Sequence, residues 1–299
     1  MRLARVLGGI GRVFIWTGVI ILLFVAYQLW GTNLSEARAQ DDLESEFEDL
    51  LIEAPDPTTT TTTAIDDTET TTTVPEGLLE LPEVGEPMAR IEIPAIGVDK
   101  IVVEGVSRSD LRKGPGHYPD TPFPGQSGNA SIAGHRTTYG APFHRIDELT
   151  VDDEITVTTL QGRFTYRVIE QNIVAPTDIE VIEDQGDDRL TLTSCHPKYS
   201  ARQRIIVSAL LVDDPAPPTP RPLAEVDQAI EVDTLDGDET GPLAPVIILG
   251  LVALAVWLLF YVLSRRWRRW PAYVLGVVPF GAALFVWFGA VAELLPANF

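Results

Sequence analysis

The sequence contains one cysteine and four histidines. The cysteine lies in Leu190-Thr191-Leu192-Thr193-Ser194-Cys195-His196-Pro197. Side chains two apart in a strand share a face. Leu190 and Leu192 are therefore expected to enter a core, with Thr191, Thr193 and Cys195 turned the other way. Pro197 has no N–H to extend the ladder. The pattern predicts a thiol at the open edge of a sheet, where a nucleophile is useful. The competing expectation is a small buried hydrophobe, the usual state of a free cysteine.

Two further elements hold complementary chemistry. In Asn129-Ala130-Ser131-Ile132-Ala133-Gly134-His135-Arg136-Thr137-Thr138-Tyr139-Gly140, a short strand ends at Gly134 and His135 opens the following loop. An imidazole there can give and take a proton near neutral pH. In Tyr199-Ser200-Ala201-Arg202-Gln203-Arg204-Ile205-Ile206-Val207, Arg204 stands just before an apolar strand. A hairpin would return it to the thiol, where a guanidinium can stabilise an oxyanion. Arg202 would share its face, so spacing alone leaves the choice open. His196 should face away from Cys195. A lone cysteine excludes an intramolecular disulfide, and so few Cys and His residues exclude a Cys/His-rich zinc site.

These residues need a scaffold. Short runs with β character are expected at 89–93, 101–103, 130–133, 154–159, 163–169, 189–193 and 205–212. Turn signals such as Gly128-Asn129 and Gln161-Gly162 separate them. Helix is expected only near 109–112 and 143–149. Many short strands with frequent turns make a mostly β domain, a barrel or a sandwich, over residues 88–212.

Outside that domain the composition changes. Arg12 and Glu36 bracket one uncharged run, Glu239 and Arg265 a second, Arg269 and Glu293 a third. Each is long enough to cross a hydrocarbon core of about 30 Å. Transmembrane helices are therefore expected at 13–34, 243–264 and 270–292. Arginines concentrate at 1–12 and 265–269, which assigns both to the cytoplasm and residues 293–299 to the outside. Ala37-Arg38-Ala39 resembles a small-x-small cleavage site, but the preceding run is long for a signal peptide, so the anchor is expected to be retained. Residues 35–87 read as a disordered acidic Thr/Pro-rich linker, and residues 213–242 as a Pro-rich acidic one.

The chain carries 22 Lys+Arg against 43 Asp+Glu, a net charge of −21. The span 31–242 holds 15 of those bases and 42 of those acids. Such a balance excludes a nucleic-acid binder, which needs a basic face.

Taken together, Gly134-His135-Arg136, Thr191-Leu192-Thr193-Ser194-Cys195 and an arginine opening the last apolar strand resemble a sortase. Gly114-Pro115-Gly116-His117-Tyr118-Pro119 and the run from Ala133 to Phe143 are most similar to class E, the actinobacterial housekeeping group. The resemblance covers residues 88–212. It implies a closed eight-stranded β-barrel with short helices, in a membrane-anchored cysteine transpeptidase on the extracellular side of a Gram-positive cell. By that likeness Cys195 is the nucleophile and His135 the acid/base. Arg204 is the oxyanion or substrate-positioning residue, preferred to Arg202 because the family arginine abuts the apolar strand. Ser131, Tyr118, Tyr139 and Thr193 are candidates to bind substrate. The implied partners are surface proteins with C-terminal LPXTG- or LAXTG-like sorting signals, a peptidoglycan precursor or stem-peptide amine, and the membrane.

No cofactor is expected. Calcium is a lesser possibility at Asp152-Asp153-Glu154 or Glu183-Asp184 with Asp187-Asp188, where carboxylates cluster. Ser194 stands where threonine is common, a change that keeps a hydroxyl. The C-terminal pair of apolar runs is more like a pilin-polymerising enzyme, which is the second reading. An L,D-transpeptidase would place His and Gly immediately before the cysteine, where this chain has Thr193-Ser194. The non-enzymatic alternative is an anchored extracellular binding module with an inert thiol.

Overall fold

The computed structural model describes residues 2–53, 82–219, 242–266, 269–292 and 294. The chain divides into two units, one of residues 1–33 with 238–297, the other chiefly residues 34–237.

The second unit is built on eight strands: β1 (Pro87–Ile93), β2 (Val98–Glu104), β3 (Gly116–His117), β4 (Asn129–Ala133), β5 (Glu154–Thr159), β6 (Gly162–Val174), β7 (Arg189–His196) and β8 (Gln203–Leu211). They close into a barrel in the order β1-β2-β3-β4-β7-β8-β6-β5. Closure removes the exposed sheet edges that invite aggregation. Core-facing positions recur with a period of two along most of the long strands. Ala89, Ile91 and Ile93, then Ile155 and Val157, Phe164, Tyr166 and Val168, Leu190 and Leu192, and Ile205, Val207 and Ala209 all enter one core. Each Val, Leu, Ile or Phe side chain fully buried among them contributes about 1.5–3 kcal/mol.

All seven expected β runs are strands. The two-residue β3 was too short to show a pattern. The expected helix near 109–112 is one turn, α3 (Arg108–Leu111), and that near 143–149 is a 3-10 turn at Ile146–Glu148. Ser107 caps α3, accepting from the Asp110 N–H, while the Asp110 carboxylate accepts in return from the Ser107 N–H.

The linker expectation needs correction at both ends of the domain. Residues 35–53 are not extended linker: they lie in a helix, α2 (Thr32–Glu53). Its Leu43 and Phe47 pack into a second cluster with Ile101 and Val103. Glu36, Gln40, Leu43 and Phe47 recur at helical spacing, which the acidic average of the segment conceals. Residues 213–219 also lie along the barrel. The Ala216 N–H donates to the Gly125 carbonyl at 2.7 Å, and Gln161 Nε2 to the Pro217 carbonyl at 2.8 Å. The linker expectations for residues 54–81 and 220–241 fall outside the described residues, as do Trp267 and Arg268 of the basic turn and most of 293–299.

The other unit contains α1 (Arg2–Ala26), a π-helical turn (Tyr27–Gly31), α4 (Leu243–Arg266) and α5 (Arg269–Ala292). Among the described residues, three helices are long and apolar enough to cross a membrane: Phe14–Glu53, Leu243–Arg265 and Leu275–Ala292. In the first, the apolar stretch lies in its N-terminal part; α2 is polar. Tyr27 packs edge-on against Phe285 at 5.0 Å between ring centres, and Phe24 against Phe288 at 5.4 Å.

Candidate active site

Three neighbouring strands build the site. β4 runs parallel to β7, with Ala133 paired to Thr193. The Gly134 N–H continues that ladder by donating to the Thr193 carbonyl at 3.0 Å. Ser194 Oγ then donates back to the Gly134 carbonyl at 2.7 Å. The next residues along the two segments are His135 and Cys195. On the other flank of β7, antiparallel β8 sets Arg204 directly opposite Cys195. Register alone thus gathers the three residues that the sequence singles out. Arg202 is exposed and outside the strand, which separates it from Arg204.

Gly134 leaves room for Phe143 beside this strand end. A Cβ there would lie 2.5 Å from the Phe143 ring, and Phe143 is fully buried beneath the loop. His135 Nδ1 lies 3.5 Å from Thr138 Oγ1, and its ring packs on Tyr139 at 5.1 Å between centres. The Arg112 guanidinium lies 5.5 Å from the Tyr139 ring centre. Arg204 donates to the carbonyls of Ala201 and Gln203, both at 3.0 Å. It thereby clamps the turn that leaves β7.

The expectation of an open edge is not met. Cys195 retains 2% of its exposure, His135 6% and Arg204 1%. The outward face of β4 and β7 is covered as well: Ser131, Thr191, Thr193 and Tyr118 are all buried. The 116–125 segment lies over it. Tyr118 Oη is 3.3 Å from Thr193 Oγ1, and Thr121 Oγ1 accepts from the Ser131 N–H at 3.1 Å.

The four candidate substrate-binding residues surround this rim at different depths. Thr193 and Tyr118 touch each other, two positions before the cysteine. Tyr139 contacts His135. Ser131 sits further down β4, and its Oγ is buried without a hydrogen-bond partner. His117 is occupied elsewhere: Nδ1 meets Glu104 Oε2 at 2.7 Å and Nε2 the Pro122 carbonyl at 2.9 Å. Both ring nitrogens face acceptors, so this histidine holds the 116–125 segment in place.

Sequence reasoning passed over Arg136. It is 1% exposed, and its guanidinium reaches three acceptors: the Cys195 carbonyl at 3.0 Å, the His144 carbonyl at 3.1 Å and Asp147 Oδ1 at 2.8 Å. Burial pushes the Asp147 carboxyl upward, but Arg136 and then Lys198 outweigh it and hold the group below its ordinary range. The available signal was position: a residue adjacent to His135 shares its anchorage.

Among the described residues, no group of three or more His, Cys, Asp or Glu side chains converges as metal ligands would. The carboxylates of the acidic loops bond to nearby groups. Asp153 accepts from the Thr150 N–H at 2.7 Å, Asp188 from the Gly128 N–H at 2.9 Å, and Asp187 pairs with Arg189.

Comparison with known proteins gives a consistent family. Residues 91–212 match the family model described as Sortase domain. The chain is 30% identical over 221 residues to sortase SrtE1 of Streptomyces coelicolor, covering 69% of this chain and 57% of that protein. It is 37% identical over 117 residues to sortase D of Bacillus subtilis, covering 39% and 58% respectively. The chain therefore spans little more than half the length of these two relatives. A solved sortase E from Streptomyces avermitilis is 38% identical and covers 47% of this chain and 97% of its own, with a TM-score of 0.40.

Proposed function

This chain belongs to the sortase family, and from that premise we propose that it is a membrane-anchored, class E-like cysteine transpeptidase acting outside the cell. The observation that carries the proposal is the β4-β7-β8 juxtaposition. On one flank of β7 the parallel strand β4 leads into His135, and on the other β8 sets Arg204 opposite the sole cysteine.

In the proposed reaction the Cys195 thiolate attacks the carbonyl carbon of the Thr–Gly bond in an LPXTG- or LAXTG-like signal. The likeness to class E favours LAXTG. Negative charge gathers on the carbonyl oxygen, and Arg204 stabilises it by charge and hydrogen bonding. Collapse breaks the C–N bond, His135 gives a proton to the leaving glycine amine, and the acyl group remains on sulfur as a thioester. An amine of a peptidoglycan precursor or stem peptide then attacks that thioester. His135 takes its proton, the new amide forms and the thiolate departs. Both substrates are held at the membrane surface, which accounts for anchoring the domain there. Basic residues near 1–12 and 265–269 support a topology with the barrel outside and three spans.

The test is mass spectrometry of the full chain after incubation with LAXTG and LPXTG peptides. A thioester adduct on Cys195 is expected, more abundant with LAXTG and absent from Cys195→Ala. Transpeptidation that survives Cys195→Ala would discard the reading.

A further inference from the structure

Helix α2 braces the loop that carries His135. Its Gln40 side chain hydrogen-bonds the backbone of β2 as a strand would: Nε2 donates to the Ile101 carbonyl at 3.0 Å, and Oε1 accepts from the Ile101 N–H at 2.8 Å. The two-residue β3 pairs only with Val103 and Glu104 of β2, so the backbone at Ile101 needs another partner on that side. Gln40 Nε2 also donates to the Lys113 carbonyl at 2.8 Å. One turn earlier, Glu36 is buried and accepts from Lys100 Nζ at 2.6 Å. Its carboxylate lies against Gly140 so closely that a Cβ at 140 would collide with it.

These contacts converge on one ring. Gly140 follows Tyr139, and Lys113 follows Arg112. The Arg112 guanidinium and the His135 imidazole both lie against Tyr139. The loop itself is strained: Tyr139, Gly140 and Ala141 take φ values of 49°, 72° and 42°. Non-glycine residues hold such angles only where their surroundings impose them. Gly140 is the one position of the three that tolerates the angle freely, and its lack of a side chain admits the Glu36 carboxylate.

We propose that α2 is a positioning element of the active site, with Glu36 and Gln40 setting the Tyr139–Gly140 loop and, through Tyr139, the orientation of His135. The inference rests on the reading of His135 as acid/base. It makes the segment that follows the first apolar span part of the catalytic unit rather than a tether. Displacing a catalytic group by a fraction of an ångström slows chemistry without altering substrate binding.

The test compares full-length protein in detergent with its variants Glu36→Gln, Glu36→Ala, Gln40→Ala and Glu36→Ala/Gln40→Ala. Glu44→Ala, at a half-buried ion pair with Arg90 further along α2, is the control. The readouts are kcat, KM and the pH–rate profile with an LAXTG peptide. The double variant is expected to lose about tenfold in kcat with KM within about twofold, and the imidazole-dependent limb of its profile should move. Glu36→Gln, which keeps the shape, should recover most of the rate. An unchanged kcat and profile, a faster enzyme, or a lower melting temperature with an unmoved profile would each overturn the inference. Should the double variant not fold, Gly140→Ala perturbs the same contact from the loop side, with the same expected and overturning results. Activity retained in Cys195→Ala would instead remove the catalytic reading on which this one stands.

Discussion

Arg136 Nη1 donates to the backbone carbonyl of Cys195 at 3.0 Å. The residue after the candidate acid/base therefore grips the backbone of the candidate nucleophile, across two strands far apart in sequence. The same guanidinium holds His144 and Asp147, so one buried cation ties together both arms of the loop and the end of β7. Arg136→Ala should cost about 2–4 kcal/mol, because buried acceptors lose their donor, and transpeptidation should fall with it. Arg136→Lys should rescue little, since an ammonium cannot reproduce a planar fork. Chemical denaturation beside kcat measurements checks both.

Arg204 and Arg202 should separate cleanly. Arg204 is paired with Cys195 across the β7–β8 hairpin, whereas Arg202 is exposed. Arg204→Ala should lower kcat by about 10²–10³-fold if the guanidinium stabilises the oxyanion. Arg202→Ala should leave the rate near that of the parent. Steady-state peptide cleavage decides it, and an equal loss from Arg202→Ala alone would reverse the assignment.

The Arg136–Asp147 pair predicts a signature in acid. Asp147 is held below the ordinary aspartate value of 3.8. A lowered carboxyl stabilises the fold above its unfolded pKa, and that contribution is lost as pH falls through the folded value. Thermal melts of the parent should therefore drop more steeply below about pH 4 than those of Asp147→Asn. Parallel acid limbs would show that the pair contributes nothing.

Gly134 is predicted to be intolerant of even a methyl group. Alanine there would lie 2.5 Å from the Phe143 ring, in a packed core that yields only with strain. Gly134→Ala should cost about 1–3 kcal/mol, and it should slow turnover by shifting His135. Gly134→Ala with Phe143→Leu should recover part of the stability, as melting of the single and double variants would show.

Phe47 anchors α2 from the apolar side. Phe47→Ala should destabilise the barrel unit by about 3–4 kcal/mol, the range for an emptied aromatic site. It should also raise amide exchange along residues 34–53 more than in the core strands. Uniform exchange across the unit would contradict a separately docked helix.

Much of the barrel was written in local pattern. Alternation in Ala89–Ile93, Glu154–Thr159 and Arg189–Thr193 is a property of neighbouring residues, so it survives without knowledge of the fold. The same holds for the three apolar runs, whose length and composition alone qualify them as spans. The chemistry of Cys195, His135 and Arg204 was likewise visible as residue types at strand ends. Their meeting was not, because it depends on β4 and β7 pairing in parallel, with Ala133 opposite Thr193, across sixty positions of sequence.

What tertiary structure alone decided concerns burial and partners. Thr193 and Cys195 point away from the core as their spacing requires, yet they are covered, because the 116–125 segment lies over that face. Arg136 reads as an ordinary loop arginine until its three acceptors converge from remote segments. Residues 35–53 read as linker because average acidity dominated four inward-facing positions, and a helix that buries only one stripe acquires its stability from the surface it meets. Sequence determines what each residue can do and which local form it prefers; only the folded chain determines which groups lose water together, and those encounters set charge, orientation and access.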